Sequence, residues 1–266
     1  MQVAAYLSAV LIGISLGMIG GGGSILTVPV LVYLMMVDPV LSTTYSLFIV
    51  GFTSFVGGTK ACMNRLVDFR SVVFFGIPSI LTVFIARLFI LPAIPDLIFI
   101  TGDLLIHKGS LLMIIFALLM LLTYISMMRS RTKVTETNPP RLVQHNAFSL
   151  LIPGSLTGLV TGLLGAGGGF LVIPALVLFI KLPMKTAIGT SLLIIAINSL
   201  FGFVFSIGHY AINWSLLFSF TALAIAGVFI GGRIALHMAG DSLKKWFSWF
   251  ILAVGIYILA KEILFS

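Results

Sequence analysis

Charged residues are scarce in this sequence. Asp, Glu, Lys and Arg make up 8% of its 266 residues, whereas 60% of the residues are hydrophobic. Soluble domains carry roughly 25% charged residues, because a folded surface needs polar cover. The scarcity therefore excludes a water-soluble globular protein. Long apolar runs such as 111–128 and 214–230 are typical of helices that span a membrane.

Cysteine pairs and catalytic motifs are missing as well. Cys62 is the single cysteine, so the chain cannot form an internal disulfide framework. The sequence has no HExxH motif, no nucleotide-binding loop and no Ser-His-Asp pattern, which excludes the usual metalloproteases, transport ATPases and serine hydrolases. We therefore predict a protein that is not an enzyme and that holds no metal and no cofactor.

The net charge of +8 does not indicate a nucleic-acid partner. The lysines and arginines lie mostly in short connections between apolar runs, which is where charges that set membrane topology belong. The partners expected from composition are the lipid bilayer and a small substrate, with no nucleic acid. The sequence leaves open whether the unit is a monomer or a homodimer.

An internal repeat organises the chain. The segment 13–31, GISLGMIGGGGSILTVPVL, recurs 145 residues later as 158–176, GLVTGLLGAGGGFLVIPAL, with eight of 19 positions identical. The same offset continues without a gap, matching Ser46 with Ser191 and Gly57 with Gly202. A shared register of this length predicts two homologous halves. We assign 1–135 to the first transmembrane repeat, 136–144 to a polar cytoplasmic linker, and 145–266 to the second repeat.

Each half is predicted to contain one interrupted segment followed by three membrane spans. The interrupted segments are 3–37 and 147–180. The remaining spans are 42–58, 71–91, 109–128, 186–206, 214–236 and 245–264. The fold class is an all-α integral membrane protein whose halves each begin with a glycine-broken helical hairpin.

The interrupted segment is predicted to return toward the side on which it starts. About 35 residues of helix would measure roughly 50 Å, which is too long for one crossing of a hydrocarbon core about 30 Å thick. The run Gly20–Gly23 would also break a helix, because glycine loses the most backbone entropy on becoming helical. A long arm, a glycine break and a shorter return arm satisfy both constraints.

The distribution of Lys and Arg supports this return. With a returning segment, eleven lie on one side and only Lys108 and Lys261 on the other, as the positive-inside rule expects. The eleven are Lys60, Arg65, Arg70, Arg129, Arg131, Lys133, Arg141, Lys181, Lys185, Lys244 and Lys245. A single crossing would give a weaker division of eight against five. The returning topology predicts non-cytoplasmic termini and two inverted repeats.

The glycine breaks are the candidate substrate site. Broken helices at matching positions of inverted repeats mark the midplane site of many transporters. Free N–H groups at a helix N-terminus, together with the helix dipole, favour an anion. The alternative is close helix packing by small residues, which suits Gly13, Gly17, Gly158 and Gly162 better than the breaks. The candidate binding residues here are Gly20, Gly21, Gly22, Gly23, Ser24, Gly165, Gly167, Gly168 and Gly169.

Polar side chains near the next span of each half extend this candidate site. Thr44 and Ser46 in the first half, and Thr190 and Ser191 in the second, carry hydroxyls that can donate to an oxyanion. Helix capping or interhelical hydrogen bonding explains them equally well. Asn198 lies in mid-span and is either an interhelical contact or a cavity-lining group.

Arg87 and Arg233 lie inside apolar runs, where a charge is costly. Snorkelling toward the membrane surface is one explanation for both side chains. The alternative is an electrostatic gate for an anion at either mouth of the transport path.

The duplicated glycine segments, each followed by Val-Pro or Ile-Pro, together with Ala187–Ser191, resemble the TauE/SafE sulfite exporter family. This resemblance implies export of sulfite or small organosulfonates across the bacterial inner membrane without ATP. The first half departs from the pattern, because Thr43-Thr44-Tyr45-Ser46 replaces the Ile-Gly-Thr-Ser form. The fold and the small-anion class follow from the residues, whereas sulfur comes from the resemblance alone.

The resulting hypothesis is a secondary exporter of a small anion that works by alternating access around the two glycine breaks. Two alternatives stay open: a carrier for a cation or a neutral metabolite, and a membrane subunit that binds a partner without transporting. The sequence does not distinguish potential-driven from proton-coupled transport, nor does it fix the depth of the breaks.

Overall fold

The computed structural model describes residues 2–95, 97–101, 104–129, 148–164, 169–209 and 212–265, which are mostly helical and include one short hairpin. Among these residues, six helices are long and apolar enough to cross a membrane. They match the six uninterrupted spans predicted from the sequence, and the prediction of a multi-pass helical membrane protein is confirmed. The linker 136–144 lies outside the described residues.

The first half contains α1 (Gln2–Ile19), α2 (Gly22–Tyr33), α3 (Pro39–Met63), α4 (Phe69–Ile85), α5 (Leu91–Ala93) and α6 (Lys108–Arg129). A π-helical turn, Ala86–Ile90, joins α4 to α5. A two-stranded antiparallel hairpin of β1 (Leu97–Thr101) and β2 (Leu104–His107) precedes α6. The second half contains α7 (Phe148–Leu164), α8 (Gly169–Leu178), α9 (Met184–Val204), α10 (Trp214–His237) and α11 (Gly240–Phe265).

The first segment is interrupted as predicted, although the break is narrower than the tetraglycine run. Helix α1 ends at Ile19 and α2 begins at Gly22, so only Gly20 and Gly21 lie outside helix. Gly20 has a φ of 70°, a left-handed conformation that glycine adopts without steric cost. Helix α2 has 12 residues and is about 18 Å long, which is short of a full crossing.

Helices of the first half pack against helices of the second half. Helix α1 packs on α10, α7 packs on α4, α3 packs on α9, and α6 packs on α11. Glycines make these contacts close: a Cβ atom on Gly13 would lie 1.9 Å from the Ala224 carbonyl oxygen, and one on Gly158 would lie 2.1 Å from that of Ser79. Both residues in each contact are 145 positions from their counterparts. The predicted packing role of Gly13 and Gly158 is confirmed, and the two halves make equivalent contacts.

The glycine contacts also give the relative directions of the helices. Gly51 faces Leu200 and Gly58 faces Leu193, so α3 and α9 run antiparallel. Gly13 faces Ala224 and Gly17 faces Val228, so α1 and α10 run parallel. In the other half, the equivalent pair α7 and α4 is also parallel, because Gly154, Gly158 and Gly162 face Phe75, Ser79 and Val83 in order.

The connections between helices repeat as well. Asp68 accepts a hydrogen bond from the Ser71 backbone N–H and caps α4, and Asn213 caps α10 through the Leu216 N–H. Met36 and Lys181, again 145 residues apart, both adopt positive φ after the short helices, at 54° and 57°. The duplicated sequence therefore specifies the same local turns in both halves.

Candidate functional site

The first glycine break lies directly against the N-terminus of α8. A Cβ atom on Gly21 would lie 2.0 Å from the backbone carbonyl carbon of Gly169 and 2.3 Å from its Cα atom. Gly21 precedes the first residue of α2, and Gly169 is the first residue of α8. The N-terminal ends of the two short helices therefore meet, one from each half. Backbone N–H groups at such ends have no partner within their own helix.

The remaining glycines of the breaks divide into two groups. Gly22 and Gly23 form the first turn of α2 rather than part of the break. Gly165, Gly167 and Gly168 lie outside the described residues, so their predicted role stays a prediction. Ser24 is buried, and its Oγ atom donates to the Gly21 carbonyl oxygen at 2.6 Å. This bond holds the first turn of α2 against the break.

Ser191 is a predicted hydroxyl residue of α9 that lies beside the first break. Its Oγ atom donates to the Ile188 carbonyl oxygen at 2.8 Å. The same atom lies 3.0 Å from the position that a Cβ on Gly20 would occupy. Ser191 therefore lies next to Gly20, the glycine with the left-handed conformation. This position is the one required of a residue that contributes to a site at the break.

Thr190, next to Ser191, has a structural partner. Its Oγ1 atom accepts a hydrogen bond from the Asp68 backbone N–H at 2.9 Å. In the other half, the Tyr45 hydroxyl accepts one from the Asn213 N–H at 2.8 Å. Tyr45 and Thr190 are repeat equivalents, as are Asp68 and Asn213. The structure therefore shows the hydrogen-bonding alternative for Thr190. Thr190 of the second half holds the turn before α4, and Tyr45 of the first half holds the turn before α10.

Asn198 and Ser46 are fully buried. The Asn198 Nδ2 atom donates to Ser79 Oγ at 2.6 Å, which joins α9 to α4. Within the described part of the chain, the Asn198 Oδ1 atom and the Ser46 Oγ atom have no hydrogen-bond partner. Leaving a buried polar group unpaired costs about 1–3 kcal/mol, so such groups are commonly found where a ligand or water binds. Ser46 is the repeat equivalent of Ser191.

Arg87 is buried with 4% of its surface exposed, so it does not snorkel. It lies in the π-helical turn, and such turns are frequent at functional sites. Its guanidinium donates to Thr43 Oγ1 at 3.1 Å and to Thr44 Oγ1 at 3.4 Å. Thr44 thus borders a buried cation at the start of α3.

Arg233, in contrast, is exposed on α10. The strict repeat equivalent of Arg87 is Gly232, so the two arginines are not structural counterparts. The proposed gating role of Arg233 stays a prediction that its exposed position does not favour. Thr43, the closer partner of Arg87, belongs with Ser42, Thr44 and Ser46 to the hydroxyl-rich start of the second span that the sequence singles out as candidate oxyanion ligands. Its contact with Arg87 was not predicted, because an apolar run does not reveal which helix face is buried.

Metal binding finds no support in the described residues, which contain no group of three or more His, Cys, Asp or Glu side chains that could hold a metal ion. The polar groups at the first break are backbone amides and the hydroxyls of Ser24 and Ser191, each of which donates to a backbone carbonyl oxygen. Such neutral donors can hold a small anion reversibly.

Comparisons with known proteins give the same picture over nearly the whole chain. The family described as "Sulfite exporter TauE/SafE" matches residues 5–258. A probable membrane transporter protein of Xylella fastidiosa, strain Temecula1, is 30% identical over 258 residues, covering 95% of this chain and 92% of its own. The probable membrane transporter protein YunE of Bacillus subtilis is 24% identical, covering 86% of this chain and 87% of its own.

No solved structure matches this chain. The relatives are named as membrane transporters, in agreement with the six apolar helices observed here. The family match extends across both halves and both glycine-rich segments. This protein belongs to the TauE/SafE sulfite exporter family of membrane transporters.

Proposed function

We propose that this protein exports a small oxyanion, sulfite or an organosulfonate, across the bacterial inner membrane by alternating access at the two glycine breaks. The observation that carries the proposal is the contact between Gly21 and Gly169, which brings the N-termini of α2 and α8 together. Two helix N-termini facing one point add their partial positive charges there. The sulfur chemistry is taken from the family name, and the site from the geometry.

The donors at this point suit a substrate that must leave as well as bind. Backbone amides and the Ser191 hydroxyl are neutral, so they stabilise an oxyanion without the deep trap that a buried Lys or Arg would create. Glycine at positions 20 and 21 leaves the backbone bare, which allows a ligand to approach the amides closely. These features support binding that is reversible from both sides.

We further propose that the halves are inverted repeats. Helices α3 and α9 are repeat equivalents and run antiparallel, which supports a two-fold relation about an axis in the membrane plane. An odd number of crossings in each half produces this relation. The contact of Lys261, near the end of α11, with the Tyr33 ring at 3.8 Å supports a return of α2 to the side where the chain ends.

With the inverted arrangement oriented by its Lys and Arg residues, we propose that both termini lie outside the cytoplasm. A Ser266→Cys substitution in a Cys62→Ser background should react with a membrane-impermeant thiol reagent in intact cells. In inside-out vesicles the same thiol should be protected until detergent is added. Labelling confined to inside-out vesicles would place the C-terminus in the cytoplasm and refute this orientation.

The membrane potential can drive the proposed export. An inside-negative potential favours the exit of a monovalent anion by about 2.3 kcal/mol per 100 mV. In the described candidate spans, Asp241 and Glu262 lie at the two ends of α11 rather than in its middle. This placement supports potential-driven export over a relay of buried carboxylates.

Arg87 is proposed as a gate on the non-cytoplasmic side. Its contacts with Thr43 and Thr44 join the end of α4 to the start of α3, and separation of these helices would break both. We expect Arg87→Gln to reduce the maximal export rate about tenfold, because removal of one partner of a buried charged hydrogen bond costs about 1.5–3 kcal/mol. The assay is anion efflux from proteoliposomes at equal protein content.

The exposed Arg233 supplies a control of equal charge. Arg233→Gln should retain an efflux rate within about twofold of the unsubstituted protein, since surface substitutions usually change free energies by no more than ±0.5 kcal/mol. Equal effects of the two substitutions would contradict a gate that depends on the buried guanidinium.

Substrate choice is tested with purified protein in proteoliposomes loaded with labelled sulfite under an inside-negative potential. The proposal expects saturable efflux that is competed by sulfonates more strongly than by sulfate or chloride. Flux of an organosulfonate without flux of sulfite would keep the mechanism and change the substrate. Absence of all anion flux would refute the proposed function.

A further inference from the structure

A cavity of about 70 Å³ opens at one end of the bundle, between the ends of α3 and α10 and the start of α9. Gly17 of α1 and Leu243 of α11 also border it. We propose that this cavity is an anion vestibule in which Lys60 and Lys185 collect small oxyanions and sulfonates on their way to the glycine breaks. This inference rests on the proposed function and names the cytoplasmic entrance of the transport path.

The charge of the lining favours an anion. Lys60 and Lys185 are its two charged residues, and the other lining residues are neutral. The described lining contains these two cations and no carboxylate, and cations in a low-dielectric wall concentrate anions and accelerate their arrival.

Both ammonium groups have weak partners. Lys60 Nζ lies 5.2 Å from the centre of the Phe229 ring, and Lys185 Nζ donates to the Leu236 carbonyl oxygen at 3.4 Å. Each ammonium carries three donors, and these contacts use few of them. Neither lysine is paired with a carboxylate in the part of the chain that the structure describes. The lysines thus retain the capacity to bind an incoming oxyanion.

The inner end of the vestibule lies beside the first glycine break. Ile188 lines the cavity, and its Cγ2 atom lies 3.1 Å from the position of a Cβ on Gly20. Gly17, one turn before the break, lines the cavity too. The Ile188 side chain therefore lies between the cavity and Gly20, which Ser191 also borders.

The two lysines of the vestibule have no cationic equivalents in the other half. The repeat equivalents of Lys60 and Lys185 are Phe205 and Val40. Gly232 lines the cavity, and its repeat equivalent is Arg87. The Arg87 side chain donates to Thr43 and Thr44. These two threonines are the repeat equivalents of the lining residues Ile188 and Gly189. One end of the bundle therefore has an open cavity with two lysines, and the other has a buried arginine in the matching place.

Thiol chemistry tests the vestibule without any transport assay. Leu236 lines the cavity and is 46% exposed, so Leu236→Cys in a Cys62→Ser background places a reporter thiol there. Its reaction rates with an anionic and a cationic methanethiosulfonate of equal size are compared in inside-out vesicles at low salt. The ratio of the anionic to the cationic reaction rate should be about tenfold higher at the Leu236→Cys thiol than for a free thiol in solution. Tenfold is the lower end of the rate increase that electrostatic steering produces.

Charge-neutral variants decide whether the two lysines cause this preference. Lys60→Gln with Lys185→Gln should bring the rate ratio to within about twofold of the free thiol. The control pair, Lys181→Gln with Lys245→Gln, removes the same charge from exposed positions and should leave the preference intact. An unchanged ratio in the first pair, or an equal loss in both pairs, would overturn the inference.

A flux measurement separates this inference from the proposed function. For the transported anion, the lysine pair variant should show a KM raised about tenfold with a maximal rate within about twofold. Transport with an unchanged KM would refute the vestibule while leaving the exporter intact. Absence of transport in the unsubstituted protein would refute the exporter, and the thiol rates would still decide the vestibule.

Discussion

Gly21→Ala is expected to lower anion efflux by at least about tenfold. The substitution adds only a methyl group, which would lie 2.0 Å from the Gly169 backbone. Gly21 has an ordinary right-handed conformation, φ −59° and ψ −12°, so the alanine backbone itself is not strained. The N-terminal ends of α2 and α8 must move apart, and overpacking of this kind costs about 1–3 kcal/mol, where about 1.4 kcal/mol corresponds to tenfold in an equilibrium or rate.

Gly76→Ala is the matched control for this prediction. A Cβ atom at Gly76, in α4, has no neighbour within 4 Å, and alanine is the better helix former by about 1 kcal/mol. Efflux should match that of the unsubstituted protein at equal reconstitution. If Gly21→Ala transports as fast as Gly76→Ala, the contact between Gly21 and Gly169 is not the working site.

Substitutions at the helix contacts between the halves are expected to act on stability. Gly13→Ala would place a methyl group 1.9 Å from the Ala224 carbonyl oxygen, and Gly158→Ala would place one 2.1 Å from that of Ser79. Each should lower the free energy of unfolding by about 1–3 kcal/mol, because backbones packed this closely cannot accommodate the extra volume without shifting. Thermal unfolding in detergent, monitored by tryptophan fluorescence, measures the change.

Comparing the Tm changes of Gly13→Ala and Gly158→Ala tests whether the two halves make equivalent contacts. Gly13 and Gly158 are repeat equivalents, so their effects on Tm should be similar, while Gly76→Ala should leave Tm unchanged or higher. A fall in Tm for one substitution alone would contradict equivalent contacts in the two halves. Unchanged Tm values for both would show that the close packing of α1 on α10 and of α7 on α4 is absent in the protein in detergent.

Hydropathy and repeat register were sufficient to predict most of the helices. Apolar runs without charges have few stable alternatives in a bilayer, so the six full spans were found near their observed bounds. The interruption at Gly20 followed from the length of the run and the conformational freedom of glycine. The packing roles of Gly13 and Gly158 followed from small residues spaced four apart.

The hairpin of β1 and β2 was not predicted. Its signal is present, since two short runs rich in Leu and Ile flank Gly102-Asp103. Such a pattern is typical of a hairpin turn. It was overlooked because the runs are too short to compete with the adjacent spans in a hydropathy reading.

The side-chain environment of the site was harder to predict, because it depends on contacts between distant segments. Arg87 and Arg233 occupy similar apolar runs, yet one is buried on Thr43 and the other is exposed. Thr190 and Ser191 are adjacent in the sequence, yet Thr190 accepts a hydrogen bond from Asp68 in the other half, whereas Ser191 borders Gly20. Lys60 and Lys185 are 125 residues apart and share a cavity only through the packing of α3 against α9.

Equilibrium binding of labelled sulfite to the purified protein tests the central claim most directly. The account predicts saturable binding that is competed by organosulfonates, retained in Gly76→Ala, and lost or weakened at least about tenfold in Gly21→Ala. Saturable binding with the same affinity in Gly21→Ala would contradict a substrate site where the N-terminal ends of α2 and α8 meet.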